Sequence, residues 1–274
     1  MMSGRDPHRF VNELAEEALD RLVARLESRA KDAVFSRLFE KYSARLALSG
    51  NVRVLEVGCG TGAALRMLAR QPGFSGHACG IDQSAHFIAA ANRFAQSENL
   101  AEHVVFQQGD AHGLAFPDAS FDVVFAHTLV SHAADPAGVL REMARVVRPG
   151  GTVAIFDGDY SSLAYAYPDH AFGRRMNDAL ATATFNNPLI MHDLPRLLRE
   201  HRLAVAEAWG DAVVEIGSGS YFKSFAETYV PYVKRAQVLP VEAVDEWLDY
   251  QLYAMDEGFF FAACNYYTYL AQRT

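Results

Sequence analysis

The chain runs to 274 residues, half of them hydrophobic, with a formal net charge of -8. That is enough for one substantial core with room for a lid or small second lobe, and the acidic balance argues against a phosphate-backbone partner, so no nucleic-acid substrate is expected. No apolar run approaches the ~20 residues of a membrane span, and the opening residues Met1, Met2, Ser3, Gly4, Arg5 and Asp6 lack a basic-then-apolar leader pattern; with Cys59, Cys79 and Cys264 scattered in apolar, strand-like contexts as reduced thiols rather than a disulfide or metal set, the expected setting is the cytoplasm.

From about residue 8 to residue 48 the pattern is helical. Phe10, Leu14, Ala18, Leu22 and Leu26, then Val34, Leu38, Phe39, Tyr42 and Leu46, recur at helical spacing with charge on the opposite face. Residues 1–50 are therefore expected to form a helical cap ahead of the main domain, residues 51–274. Arg37 and Tyr42 are candidates to meet a ligand carboxylate or close the site. The plainer reading makes them surface and core residues of a cap helix.

Val52, Val54, Leu55 and Val57 form a β-branched apolar run, the signature of a buried parallel strand. Gly58, Gly60 and Gly62 follow, and then helix formers from Ala63 to Arg70. A strand, a tight glycine turn and a helix place bare backbone and a helix N-terminus against a ligand. The glycine spacing alone also fits a dinucleotide site. Glu56, two residues before the first glycine, is the sharper feature. Its carboxylate repels a pyrophosphate and suits a cationic, amino-acid-bearing ligand.

A second strand, His77 to Ile81, ends at Asp82. An acidic residue about 20 positions after such a turn accepts hydrogen bonds from ribose hydroxyls. Gln83 is placed to pack against ribose or adenine. Ser84 is the expected N-cap of a helix to Ser97 with Phe87, Ile88, Ala91 and Phe94 inward. Val104 to Phe106 is a third strand, followed by Asp110 and Ala111. Phe121 to Ala126 is a fourth, with His127, Ser131 and His132 at its carboxyl end. Asp135 and Pro136 open a helix whose stripe is Val139, Leu140, Met143, Val146 and Val147. Val153 to Phe156 is the fifth strand.

Beyond it, Asp157, Asp159 and Tyr160 sit where they could grip an amine or polyhydroxylated acceptor, against the plainer reading of a loop with Asx turns. A helix over Leu189–His201 brings Met191 and His192 toward the same region, with Pro195 as a kink or a helix start. Leu203–Ile216 is the sixth strand, with a bulge expected at Trp209 and Gly210, and Gly258–Leu270 the last. The intervening stretch is helical and aromatic, with Tyr221, Phe225, Tyr229 and Trp247 among its rings. Segments at about 160–195 and 217–257 read as a lid over an organic substrate.

Glu56 with Gly58, Gly60 and Gly62 resembles motif I of the class I S-adenosylmethionine-dependent methyltransferases, in particular the ubiquinone/menaquinone-biosynthesis-like group acting on small molecules. The resemblance is strong over about Asn51–Asp157. It extends to Asp82 as the ribose carboxylate and to Phe121, Asp122, Val123 and Val124 as the fourth strand. Val147, Arg148, Pro149, Gly150 and Gly151 match the family's stop before the fifth strand. It implies Asp110 and the Ala111 N–H at the adenine edge, His127 beside the cofactor, and an acceptor pocket near His132. The implied fold is a Rossmann-like α/β fold with a seven-stranded twisted sheet, mostly parallel, its last strand antiparallel. The family joins its last two strands by a hairpin, and the long insertion here leaves the acceptor site open.

The expected activity is transfer of a methyl group from S-adenosyl-L-methionine to a small organic acceptor, possible natural products included, by in-line displacement. Candidate proton acceptors are His132, Asp159, Tyr160 and His192. No metal is expected, and a homodimer is left open. Two alternatives stand beside this reading: a nicotinamide-dependent oxidoreductase, since Gly58, Gly60 and Asp82 fit that site too, and a cofactor-binding protein without catalysis.

Overall fold

In the computed structural model, which describes residues 6–46 and 48–274, the strands come where the apolar runs place them. The opening residues Met1 to Arg5, read above for a leader pattern, lie outside the described residues. β1 (Arg53–Val57), β2 (His77–Asp82), β3 (Val104–Gln108), β4 (Phe121–His127), β5 (Val147–Tyr165), β6 (Leu203–Gly217) and β7 (Phe260–Arg273) form one sheet in the order β3-β2-β1-β4-β5-β7-β6. β1 pairs in parallel with β2 and β4, β2 with β3 and β4 with β5, while β7 runs antiparallel to both β5 and β6. The chain enters at the sheet's centre, steps outward to β3, then returns to the other side of β1 at β4. That reversal opens a crevice at the carboxyl ends of β1 and β4.

Side-chain alternation separates two cores. Val54, Phe125, Phe156 and Tyr266 face one side with α2 (Ala33–Ser43), α3 (Ala63–Ala69) and α4 (Ala85–Ser97). Leu55, Val124 and Ile155 face the other with α5 (Pro136–Val146) and α7 (Ile190–Glu200). α1 (Glu16–Lys31) and α2 precede the sheet, separated at Asp32, whose side chain accepts from Val34 N and Phe35 N and restarts the helix. α6 (His170–Thr184) follows β5, and the insertion between β6 and β7 supplies α8 (Tyr221–Ala236) and α9 (Val241–Asp256), with Phe222, Phe225 and Trp247 in the first core.

Several boundaries differ from the sequence reading. β5 does not stop at Phe156. β7 offers it partners as far as Tyr165↔Ala262, across a bulge between Asp159 and Ala164. The bulge of β6 lies between Val205 and Glu207, not at Trp209 and Gly210. Gly210 stays in register with Tyr267, and a Cβ there would come within 2.7 Å of that ring. Within the 160–195 segment read as lid, residues 160–165 finish β5 and α7 covers the sheet through Ile190, Met191 and Leu194.

Candidate active site

A cavity of about 700 Å³ opens at the carboxyl rim of the sheet. Its floor follows strand order, from Asp110 after β3, through Asp82 on β2, Glu56 on β1 with Gly58 just after it, and His127 on β4, to Tyr160 on β5. α1 and α8 close the other side.

Gly58 holds φ +71°, and a Cβ on it would stand 2.5 Å from Leu129, so only glycine lets the turn pass there. Gly60 lines the cavity, and its N–H donates to Asp82 Oδ2 at 2.9 Å; Ser84 N–H donates to Oδ1, also at 2.9 Å. Asp82 is thus fixed at the β2 tip, each oxygen keeping a lone pair for a ligand hydroxyl. Burial raises its pKa against those N–H donors. Gly62, expected at the cofactor, is instead the N-cap of α3 and does not line the cavity. Glycine is required there because a Cβ would meet the Phe106 ring at 2.3 Å.

Glu56 is 2% exposed, and its Oε2 has no hydrogen-bond partner. Burial pushes its carboxyl well above the usual range; Asp82 adds to the rise, while Arg29 and Arg66 oppose it. A buried, half-unpartnered carboxylate facing a cavity is an acceptor that the N–H donors of a cationic ammonium fit.

Asp110 has a largely exposed side chain and accepts from His112 N at 2.9 Å and His112 Nδ1 at 2.8 Å. Those bonds lower its pKa, the backbone one most. Ala111 lines the cavity beside it. Gln83 lines it too, but its amide is engaged elsewhere: Nε2 donates to the carbonyls of His8 and Arg9 at 3.0 and 3.2 Å, clipping the N-terminal segment over the mouth.

His127 lines the cavity with its ring stacked on Phe156 and its Nδ1 2.9 Å from Tyr42 Oη. Burial, helped by Arg29, holds its pKa well below the ordinary imidazole value. Tyr42 supports His127 from behind and does not reach the cavity. Arg37 is exposed on the outer face of α2 and is likewise absent from the lining. Arg25 and Arg29 of α1 occupy the wall instead. The signal was an apolar stripe, Leu22 and Leu26, with the two arginines one turn apart on the same face.

At the acceptor end, His132 Nδ1 donates to Asp6 Oδ2 at 2.8 Å. Asp6 also accepts from His8 N at 2.9 Å and Asn186 N at 3.0 Å. Asp6 was missed in the sequence, where it figures only among the opening residues that lack a leader pattern. Tyr160 lines the cavity, stacked against Phe185, and burial lifts its phenol well above its ordinary range. Asp159 and His192 do not line it. They pair with each other, His192 Nε2 donating to Asp159 Oδ2 at 3.0 Å, with the His192 side chain 54% exposed. The cause is strand alternation: Tyr160 turns to the cavity, so its neighbour Asp159 turns to the α7 side. Met191 is buried in the α7 core, and Ser131 is buried against Asp157, so neither forms a pocket wall. Asp157, 0% exposed, takes bonds from Ser131 N and Oγ at 3.0 Å each and from Gly158 N at 2.8 Å.

Among the described residues, no group of three or more His, Cys, Asp and Glu side chains is placed to hold a metal ion, and no helix is long and apolar enough to cross a membrane.

Residues 55–155 match the family described as "Methyltransferase domain". Over 226 residues the chain is 33% identical to an uncharacterized 37.1 kDa protein in transposon TN4556 of Streptomyces fradiae, covering 80% of this chain and 62% of that protein. Over 132 residues it is 37% identical to the 27-O-demethylrifamycin SV methyltransferase of Amycolatopsis mediterranei, covering 48% and 47% of the two. The chain thus spans less than two thirds of the length of these curated relatives. Among solved structures, the fold is similar to that of the [4+2]-cyclase SpnF, with a TM-score of 0.58 at 24% identity over 87% of this chain and 80% of that one.

Proposed function

We propose that this chain, whose residues 55–155 match the methyltransferase domain family, transfers a methyl group from S-adenosyl-L-methionine to a small organic acceptor. The observation that carries this is Glu56: a buried carboxylate with a free oxygen, at the tip of the central strand, between the glycine turn and Asp82. When bound, S-adenosylmethionine supplies a methyl group already activated as a sulfonium substituent.

The residues then divide the work. Glu56 takes the ammonium of the methionine moiety, and Arg29, beside it, takes the carboxylate. Asp82 accepts the ribose hydroxyls. Asp110 and the Ala111 N–H meet the adenine edge. The Gly58 turn brings backbone close to the ligand, and His127, kept neutral, lines the floor between cofactor and acceptor. What remains for the protein is alignment and exclusion of water. The N-terminal segment, clipped by Gln83, serves as a cap, and α6 and α8 serve as a lid.

His132 is the proton acceptor for an acceptor group that arrives protonated. Its Nδ1–H is committed to Asp6, which leaves Nε2 as the basic nitrogen. Tyr160 borders the same space. The small-molecule reading is supported by the similarity to the 27-O-demethylrifamycin SV methyltransferase. A cytoplasmic setting fits the absence of a membrane-crossing helix among the described residues.

The test pairs calorimetry with S-adenosylhomocysteine and incubation of the protein with methyl-labelled cofactor and a metabolite extract. The reading expects binding and label in a small organic product. Binding with no transfer would favour a cofactor-binding protein, and binding of a nicotinamide nucleotide in its place would favour the oxidoreductase.

A further inference from the structure

Arg25 is 8% exposed on the inward face of α1 and lines the cavity. Its guanidinium carbon lies 5.3, 5.4 and 5.0 Å from the ring centres of Tyr221, Phe225 and Tyr229 on α8, and Nη1 donates to Ser224 Oγ at 2.9 Å. Among the described residues, no carboxylate makes an ion pair with Arg25, and the Nη1 bond goes to a neutral hydroxyl. A guanidinium stays protonated inside a protein. A buried charge without a counter-ion is costly, and aromatic faces return only part of that cost.

Arg29, one helical turn on, has a different setting. Its charge acts on Glu56, and its Nη2 donates to Thr128 Oγ1 at 2.8 Å. It belongs to the cofactor end. His8 borders the aromatic end but is kept neutral, burial pushing its imidazole well below the ordinary value. Arg25 is thus a fixed cation without a counter-ion in a chamber walled by Tyr160, Phe185 and the rings of α8.

Resting on the methyl-transfer reading above, we propose that the acceptor is an apolar organic monocarboxylate, its carboxylate seated on the Arg25 fork and its body held between the aromatic walls. The planar fork matches a carboxylate through two parallel N–H bonds. One cation answers one negative charge, whereas a phosphate or diphosphate would bring more charge than Arg25 compensates.

The test uses 2-naphthoate, its neutral isostere 2-naphthamide and 2-naphthyl phosphate, titrated calorimetrically into protein with and without S-adenosylhomocysteine. The wild-type chain is expected to prefer naphthoate to naphthamide by at least about tenfold, and naphthyl phosphate is expected to bind no tighter than naphthoate. R25M is expected to lose that preference while still binding S-adenosylhomocysteine. R25Q gives the same comparison should R25M not fold. Equal or unmeasurable binding of naphthoate and naphthamide to wild type, or an intact preference in the variant, overturns the proposal. Tighter binding of naphthyl phosphate overturns the carboxylate assignment. Failure of wild type to bind S-adenosylhomocysteine would defeat the methyl-transfer reading instead, because the carboxylate preference is also read without it.

Discussion

His132 and Asp6 are joined by a hydrogen bond of 2.8 Å between positions 126 residues apart. The bond fixes the imidazole's tautomer at the acceptor end of the cavity and ties the start of the described chain to the β4 loop. Replacing Asp6 with Asn removes the carboxylate while keeping a side chain of the same shape. Asp6→Asn is expected to lower kcat by about tenfold or more, with affinity for S-adenosylhomocysteine unchanged. Full activity would remove the pair from the mechanism.

Glu56 combines a binding role with a stability cost. Its folded pKa is raised chiefly by burial, so the folded state holds a proton that the unfolded state has released over the window between the ordinary carboxylate value and the raised one. Stability from this group is therefore present at low pH and falls as pH rises through that window, by about 1.4 kcal/mol per pH unit. Glu56→Gln is expected to melt at a higher temperature than wild type at neutral pH and above, with the gap closing on acidification. The same variant is expected to bind S-adenosylhomocysteine at least about tenfold more weakly, losing a charge-assisted bond. Thermal melts across pH, read beside calorimetry, check both halves.

His127 and His8 act in the opposite sense. Both are held neutral with pKa values well below the ordinary imidazole value of 6.5, burial being the main cause. Unfolding lets them take up protons below that value, so their share of stability is present above pH ~6.5 and is lost as pH falls toward their folded values. His127→Gln is expected to flatten the acid limb of the stability curve between about pH 6.5 and pH 5. A limb identical to that of wild type would contradict the assignment.

Asp82→Ala is expected to weaken S-adenosylhomocysteine binding about tenfold or more and to free the Gly60 N–H that now donates to it. The variant should also stop distinguishing adenosine from 2′-deoxyadenosine, a comparison measured by competition. Retained discrimination would place the ribose elsewhere.

His192→Ala is expected to leave kcat, KM and cofactor affinity within about twofold of wild type, as for a surface change of a few tenths of a kcal/mol. The ring is half exposed and bonded to Asp159 outside the cavity. A large loss of kcat would restore His192 to the site.

The strand tips were legible in the sequence because each combines a short apolar run with a residue that has no packing reason to be there: Glu56, Asp82, and Asp110 after β3. A mostly parallel seven-stranded sheet was implied by the family resemblance those residues carry. What the sequence hid depends on phase and on distance along the chain. Arg37 and Arg29 are both helical arginines, and only the restart at Asp32 decides which one turns inward. Asp159 and Tyr160 are adjacent, and choosing between them required knowing that β5 continues as a strand to Tyr165. Asp6 carries no local pattern at all, since its partner lies on a loop that folding alone brings near. The boundaries of β5 and β7 were set by their pairing with each other rather than by residue preference.

The central claim is that the tips of β1, β2 and β3 hold one nucleoside-bearing ligand between them. A crystal structure of the protein with S-adenosylhomocysteine tests it most directly. The account predicts the amino group on Glu56, the ribose on Asp82 and the adenine beside Asp110 and Ala111. A ligand bound outside this cavity, or inside it with the ribose away from Asp82, would contradict it.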